Sequence, residues 1–194
     1  MKIGRLLCVP VILALIVAIA ACAKPPTEEI DAANAALARA EADADARQYA
    51  PESIARARNL VERMQAEVEA KRYDSAKNLA VEAKAAAEKA ITDGAAAKQR
   101  AQTDASSAIS NAKNLLNEVE QALRAAGNLR GISLDIPAAG RDLSSAAQAI
   151  SSAEGDFTRA DFAAAKRKAD DARSALAGIQ RRIADAVQAA TRRK

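Results

Sequence analysis

The stretch AKNLAVEAKAAAEKA, residues 76–90, sets an alanine at 76, 80, 83, 87 and 90. Steps of four and three in alternation draw one apolar line along a helix. The line continues through Gly94, Ala97, Ala101, Ala105, Ala108, Ala112, Leu115, Val119 and Ala122. This predicts a single helix of about 50 residues, roughly 75 Å long. The consecutive four-residue steps at Ala97, Ala101 and Ala105 form a stutter that locally relaxes left-handed supercoiling. Gly94, after Asp93, is the alternative end of that helix.

Upstream the chain turns at Ala70 to Tyr73, and a preceding helix carries Ile54, Ala57, Val61, Met64 and Val68 in the same rhythm. Pro51 suits its first position, where no backbone donor is needed. Before that, Ile30, Ala33, Leu37, Ala40 and Ala44 mark a helix that starts at Thr27 as N-cap and breaks at Gln48 to Pro51. Glu28 and Glu29 fall in its first turn, where the helix dipole favours acids. Downstream, Gly127-Asn128, Gly131 and Pro137 signal a loop. A helix with Leu143, Ala146, Ile150 and Ala153 follows, then an expected corner at Glu154-Gly155-Asp156. The last helix carries Phe162, Ala165, Ala169, Ala172, Leu176, Ile179, Ile183, Ala186 and Ala190, ending in Arg192, Arg193 and Lys194.

These lines predict an all-α protein, an antiparallel alanine-rich helical bundle or coiled coil of about five helices, elongated, with one long central helix. The expected division is 1–21 as a leader, 22–27 as a tether, 28–126 as a first helical domain, 127–137 as a loop and 138–194 as a second hairpin. The corners Ala70–Ala76 and Glu154–Ala160 both place an aromatic three residues before an alanine, which suggests an internal duplication at an offset of 84. Tyr49, Tyr73, Phe157 and Phe162 all lie beside predicted corners. There they plug helix ends where the alanine line runs out; a ligand cage is the alternative.

Leu, Ile, Val and Phe make up only 26 of the 173 residues from position 22 onward, so alanine supplies most of the apolar surface. Alanine loses no side-chain entropy in a helix, so the seams are thin and closely packed. A core so thin leaves homo-oligomerisation open as a way to bury more surface. Histidine is absent, which removes the commonest general base and metal ligand. Asp43 with Asp45, and Asp170 with Asp171, read as solvated helix charge and not as a catalytic pair. No phosphate loop, dinucleotide fingerprint or zinc spacing is present. The reading is therefore a non-enzyme with no cofactor and no metal. Without residues 1–21, which hold Lys2 and Arg5 and no acid, the 29 basic residues fall to 27 against 25 acidic ones, and net charge falls from +4 to +2. Four aromatics and so small a charge give no footprint for nucleic acid.

The first residues carry the address. Lys2 and Arg5 precede an uncharged run from Leu6 to Ala21, the layout of a secretory signal. Ile19-Ala20-Ala21-Cys22 resembles the lipobox of bacterial lipoproteins, which implies cleavage between Ala21 and Cys22 and lipidation of Cys22. Cys8 falls inside the discarded segment, so no disulfide is available. Lys24, Pro25 and Pro26 follow as an extended tether. An uncleaved anchor is the alternative, since Leu6 to Ala23 is 18 uncharged residues, the lower edge of a bilayer span. Three acyl chains would hold stably where one is marginal. In Gram-negative lipoproteins the residue after the cysteine influences sorting, and Ala23 is similar to the outer-membrane default.

Tyr49-Ala50-Pro51-Glu52 before one helix, and Arg72-Tyr73-Asp74-Ser75-Ala76 at the next corner, make the segment from Glu28 to Ala90 resemble the bacterial lipoprotein domain-of-unknown-function family 4398. That family carries no established activity, so the resemblance implies location and fold. The end, Ala190-Thr191-Arg192-Arg193-Lys194, is similar to the C-terminus of the major murein lipoprotein. That similarity implies peptidoglycan attachment through Lys194, against the plainer reading that terminal cations complement a helix dipole. The expected function is structural or interaction work on the periplasmic face of the outer membrane, with a membrane anchor and peptidoglycan or an envelope protein as partner. A periplasmic chaperone or adaptor is the alternative.

Overall fold

The computed structural model describes residues 24–192; Ala21, Cys22 and Lys194 lie outside the described residues. Every regular element among those described is an α-helix: α1 (Thr27–Ala42), α2 (Ala44–Tyr49), α3 (Pro51–Glu69), α4 (Tyr73–Gly127), α5 (Ile136–Thr158) and α6 (Phe162–Arg192). The alanine-rich helical bundle with one long helix is thus the observed fold. Among the described residues six helices stand where about five were expected, because the first of them is split.

The split is at Asp43. Its backbone is extended (φ −68°, ψ 123°), and its side chain accepts a hydrogen bond from Ala46 N at 2.7 Å, so α1 ends and α2 is capped anew. The helical phase slips there: Ala44, expected in the seam, is exposed, and Ala46 is buried instead. At the other end Thr27 is the first helical residue, and no side chain caps α1. Pro51 occupies the first turn of α3, where its missing donor costs nothing.

Packing divides the described residues between Ala97 and Lys98, inside α4, and not at the 127–137 loop. In the first unit, α1 and α2 pack with α3 and the early part of α4. Ala33, Val61, Met64, Ala80 and Ala83 form one cluster, and Ala36, Ala40, Ala46, Ile54, Ala57, Ala87 and Ala90 the next. In the second unit, residues 98–127 of α4 join α5 and α6, burying Ala105, Ile109, Val119 and Leu123 alongside Ile150, Leu176 and Ile179. Ala97 and Ala101, at the stutter, are only half-buried.

The helix does not end at Gly94. A Cβ there would come within 2.5 Å of Ala46 Cα, 2.6 Å of Ala46 N and 2.8 Å of Asp45 C. Gly94 is therefore the point at which the backbone of α2 lies directly on α4. The loop after α4 is shorter than expected, because Asp135 caps α5 through Ala138 N at 2.9 Å and Pro137 already sits in its first turn.

The last corner also differs from expectation. Glu154-Gly155-Asp156 stays helical, and the turn comes at Arg159-Ala160-Asp161. There Ala160 takes φ +61°, Ala160 N bonds to Phe157 O at 3.0 Å, and Asp161 N bonds to Asp156 O at 3.0 Å. At the earlier corner Lys71 takes φ +57°, Lys71 N bonds to Val68 O at 3.0 Å, and Arg72 N bonds to Glu67 O at 2.9 Å. Both are Schellman caps, in which two bonds satisfy the last helical carbonyls. They superpose position by position at an offset of 89, not 84. Phe157 and Phe162 bracket the second corner, with ring centroids 5.3 Å apart and planes tilted by 59°.

Candidate functional site

The offset of 89 extends along both hairpins. Ala57, Val61 and Met64 of α3 correspond to Ala146, Ile150 and Ala153 of α5, all buried. Ala76, Ala80, Ala83, Ala87 and Ala90 of α4 correspond to Ala165, Ala169, Ala172, Leu176 and Ile179 of α6, again all buried. Across the mouth of the first hairpin Ser53 Oγ donates to Asp93 Oδ2 at 2.9 Å. Across the second, Arg182 donates to Asp142 Oδ2 at 2.5 Å, at the same two positions.

Each hairpin carries a groove on its outer face. The first, about 760 Å³, lies between α3 and α4 and is lined by Ser53, Arg56, Asn59, Leu60, Arg63, Glu82, Ala86, Lys89 and Asp93. The second, about 400 Å³, lies between α5 and α6 and includes Asp142, Ser145, Ala149, Asp171, Ala175 and Arg182. Those six are the counterparts of Ser53, Arg56, Leu60, Glu82, Ala86 and Asp93. The floor is apolar in both. The walls differ: Arg56, Arg63 and Lys89 become Ser145, Ser152 and Gly178.

In the first groove Asp93 receives Lys89 Nζ at 2.6 and 2.7 Å as well as Ser53. Beyond the groove, Lys77 sits 2.7 Å from Glu29 and ties α4 to α1; that hydrogen bond lowers the Glu29 carboxyl and raises the Lys77 ammonium. At the corner Arg72 clasps Glu67 with both ends of its guanidinium, one at 2.7 Å. The same bond lowers Glu67 and raises Arg72.

The second corner has a buried acid in the place of Glu67. Asp156 is 5% exposed; Arg159 donates to its Oδ1 at 2.5 Å, and Lys168 Nζ stands 2.6 Å from Oδ2 as an ion pair. Lys168 also donates to Ser152 at 2.8 Å. The ammonium of Lys168, acting against the effect of burial and aided by Arg159, holds the Asp156 carboxyl below its ordinary value. The pattern gave no sign of this cluster, because Asp156 was expected at a corner in solvent.

The carboxylate pairs singled out from the sequence do separate jobs. Asp43 caps α2; Asp170 binds Lys166 at 2.6 Å, and Asp171 lines the second groove. Among the described residues no group of His, Cys, Asp and Glu is placed to hold a metal ion, and no helix is long and apolar enough to cross a membrane.

Residues 28–106 match the family model of a domain of unknown function (DUF4398). The match spans α1, α2, α3 and the first part of α4, and so covers the first bundle and the resemblance expected over Glu28 to Ala90. No curated protein and no solved structure matches the chain.

Proposed function

We propose that this chain, with its first bundle matching a domain of unknown function, is a non-enzymatic lipoprotein of the bacterial cell envelope. Cys22 carries the lipid, and two small helical bundles serve a structural or protein-interaction role on the periplasmic face of the outer membrane. The observation that carries this reading is Ile19-Ala20-Ala21-Cys22 behind a basic and then apolar leader. The absence of histidine and the close alanine seams favour surface and length over chemistry. The test is labelling with radioactive palmitate. Label on the wild type and none on Cys22→Ala is the expected result; release of unlabelled wild type by osmotic shock, without detergent, overturns the anchor.

The basic end Arg192-Arg193-Lys194 favours a second, compatible reading, a link to peptidoglycan through Lys194. Digestion of purified sacculi and mass spectrometry of the bound peptides reads it out. Equal retention of the wild type and of a chain lacking Lys194 dismisses the link. An adaptor or chaperone role uses the same exposed helix faces and is read by capture of specific envelope clients.

A further inference from the structure

We infer that the solvent face of α6 docks a linear polymer that carries widely spaced carboxylates. The inference deepens the interaction reading above and rests on it for where such a polymer is met; it does not rest on the Lys194 link. Charge is divided unequally along the chain. Residues 24–97 carry 11 basic and 14 acidic side chains, and residues 98–192 carry 14 basic and 11 acidic ones, so the excess of cations belongs to the second unit. Within it α6 holds seven basic against three acidic residues, whereas its counterpart at the offset of 89, residues 73–103 of α4, holds five against four.

Three arginines set α6 apart. Asn78, Thr92 and Thr103 of α4 are replaced by Arg167, Arg181 and Arg192. At about 100° per residue, steps of fourteen and eleven residues bring the three within about 40° of one another, opposite the buried Ala165, Leu176 and Ile183. All three are exposed and make no ion pair among the described residues; Arg181 reaches back only to Ala177 O, at 3.4 Å. The other four cations of α6 are engaged: Lys166 and Arg173 on Asp170, Lys168 on Asp156, and Arg182 on Asp142. The row is the charge left over. The helix dipole accounts for Arg192 in the last turn, but it fades within a turn and disfavours a cation near the N-terminus, so it explains neither Arg181 nor Arg167.

Spacing decides the partner. Arg167 and Arg181 are about 21 Å apart along the axis, and Arg181 and Arg192 about 17 Å. No small anion bridges such gaps, and one exposed arginine holds one anion weakly. A chain with carboxylates at similar intervals engages all three, because each contact after the first is intramolecular. Guanidinium forks suit the carboxylate, which they take through two parallel hydrogen bonds. Asp185 stands in the row between Arg181 and Arg192, so a densely charged strand is repelled where a sparse one is not. Ser174 and Gln188 fall beside the row, which offers nothing apolar to a bilayer. In the envelope, peptidoglycan has this chemistry, with free carboxylates on its peptide stems.

Co-sedimentation of the full chain, in non-ionic detergent, with purified peptidoglycan sacculi tests the docking. The expected result is retention at about 20 mM sodium chloride that is lost at about 300 mM. Arg167→Gln, Arg181→Gln and Arg192→Gln together should raise the half-saturating concentration about tenfold. Arg47→Gln, Arg56→Gln and Arg63→Gln together remove the same charge from exposed positions of the first bundle and leave it unchanged. Amidation of the sacculus carboxylates abolishes retention. Far-ultraviolet circular dichroism of each variant checks that the helices persist. No retention at low salt, equal loss from the two triple variants, or undiminished retention on amidated sacculi overturns the docking. A palmitate-labelled chain that sacculi do not retain sinks the docking alone; an unlabelled chain that they retain sinks the anchor alone.

Discussion

Residues 51–94 and 140–183 trace the same hairpin, yet the buried line of the second helix is all small residues in one and turns to branched side chains in the other. Along α4 the buried line reads Ala76, Ala80, Ala83, Ala87, Ala90, Gly94; along α6 it reads Ala165, Ala169, Ala172, Leu176, Ile179, Ile183. The two lines agree near the corner and part towards the open end. In the first bundle that end is occupied by backbone, since α2 lies on Gly94, and no side chain fits between. In the second bundle the space is filled by Leu176, Ile179 and Ile183. Spacing thus sets the register of a hairpin, and residue size sets how near its third helix comes.

Exchanging sizes between equivalent positions breaks the comparison most. Leu176 is fully buried, and Leu176→Ala removes its core contacts and leaves a cavity, costing about 2–5 kcal/mol. Its counterpart Ala87 is also fully buried, and Ala87→Leu overpacks the seam, costing about 1–3 kcal/mol. Urea unfolding of both variants measures the pair. A cheap Ala87→Leu would show that the first bundle has room that its buried alanines do not suggest.

Gly94→Ala tests the closest approach. The new Cβ would meet Ala46 Cα and N and Asp45 C, backbone atoms with no rotamer to give way, so the α2 segment must shift, at about 1–3 kcal/mol. A replacement in an open helix would gain stability through alanine's higher propensity. Gly178 supplies that contrast: it is helical, and nothing lies within 4 Å of its added Cβ. Thermal melts should fall for Gly94→Ala and rise slightly for Gly178→Ala.

The helical lines, the corner before Tyr73 and the run through residues 76–90 were legible because alanine at steps of three and four has one physical reading. What escaped was decided by backbone conformation. Asp43 looks the same as an exposed helical acid and as an N-cap until its oxygen is seen on Ala46 N. Gly94 reads correctly as part of the long helical line, but nothing in the pattern shows that its missing Cβ serves a contact 48 residues away in sequence. Glu154-Gly155-Asp156 has the composition of a turn, and the turn occurred at Ala160, a residue type that gives no sign of positive φ. The repeat was visible as a rhyme between corners; its register needed the Schellman bonds. Of the grooves, only the rows of charge were readable, and of the anchor residues only the motif.

The corners differ in electrostatics as well. Asp156 has a carboxyl pKa lowered by Lys168 and Arg159, so its stabilisation is fully present above the ordinary value near 3.8 and is lost as pH falls towards the folded value. Asp156→Asn should lower the melting temperature at about pH 7, and the difference from the wild type should shrink as pH is lowered below about 3.8. Glu67, on the first corner, is lowered by Arg72 in the same direction but lies at the surface, where such a pair contributes little. Glu67→Gln should therefore shift the melt less than Asp156→Asn. Equal shifts would show that burial of Asp156 adds nothing to the pair.

The smallest effect belongs to the feature the hairpins share most closely. Lys71 at φ +57° and Ala160 at φ +61° both hold a left-handed cap position that crowds Cβ against the backbone. Glycine removes the crowding and keeps both Schellman bonds, because those are made by main-chain atoms. It also adds freedom to the unfolded chain, which offsets part of the gain. Lys71→Gly and Ala160→Gly should each stabilise their hairpin by about 0.5–1 kcal/mol. Since neither site touches a groove, the gains should be equal and should add in the double variant. Unequal gains in urea unfolding would mean that one side chain does something at its corner that the shared backbone does not require.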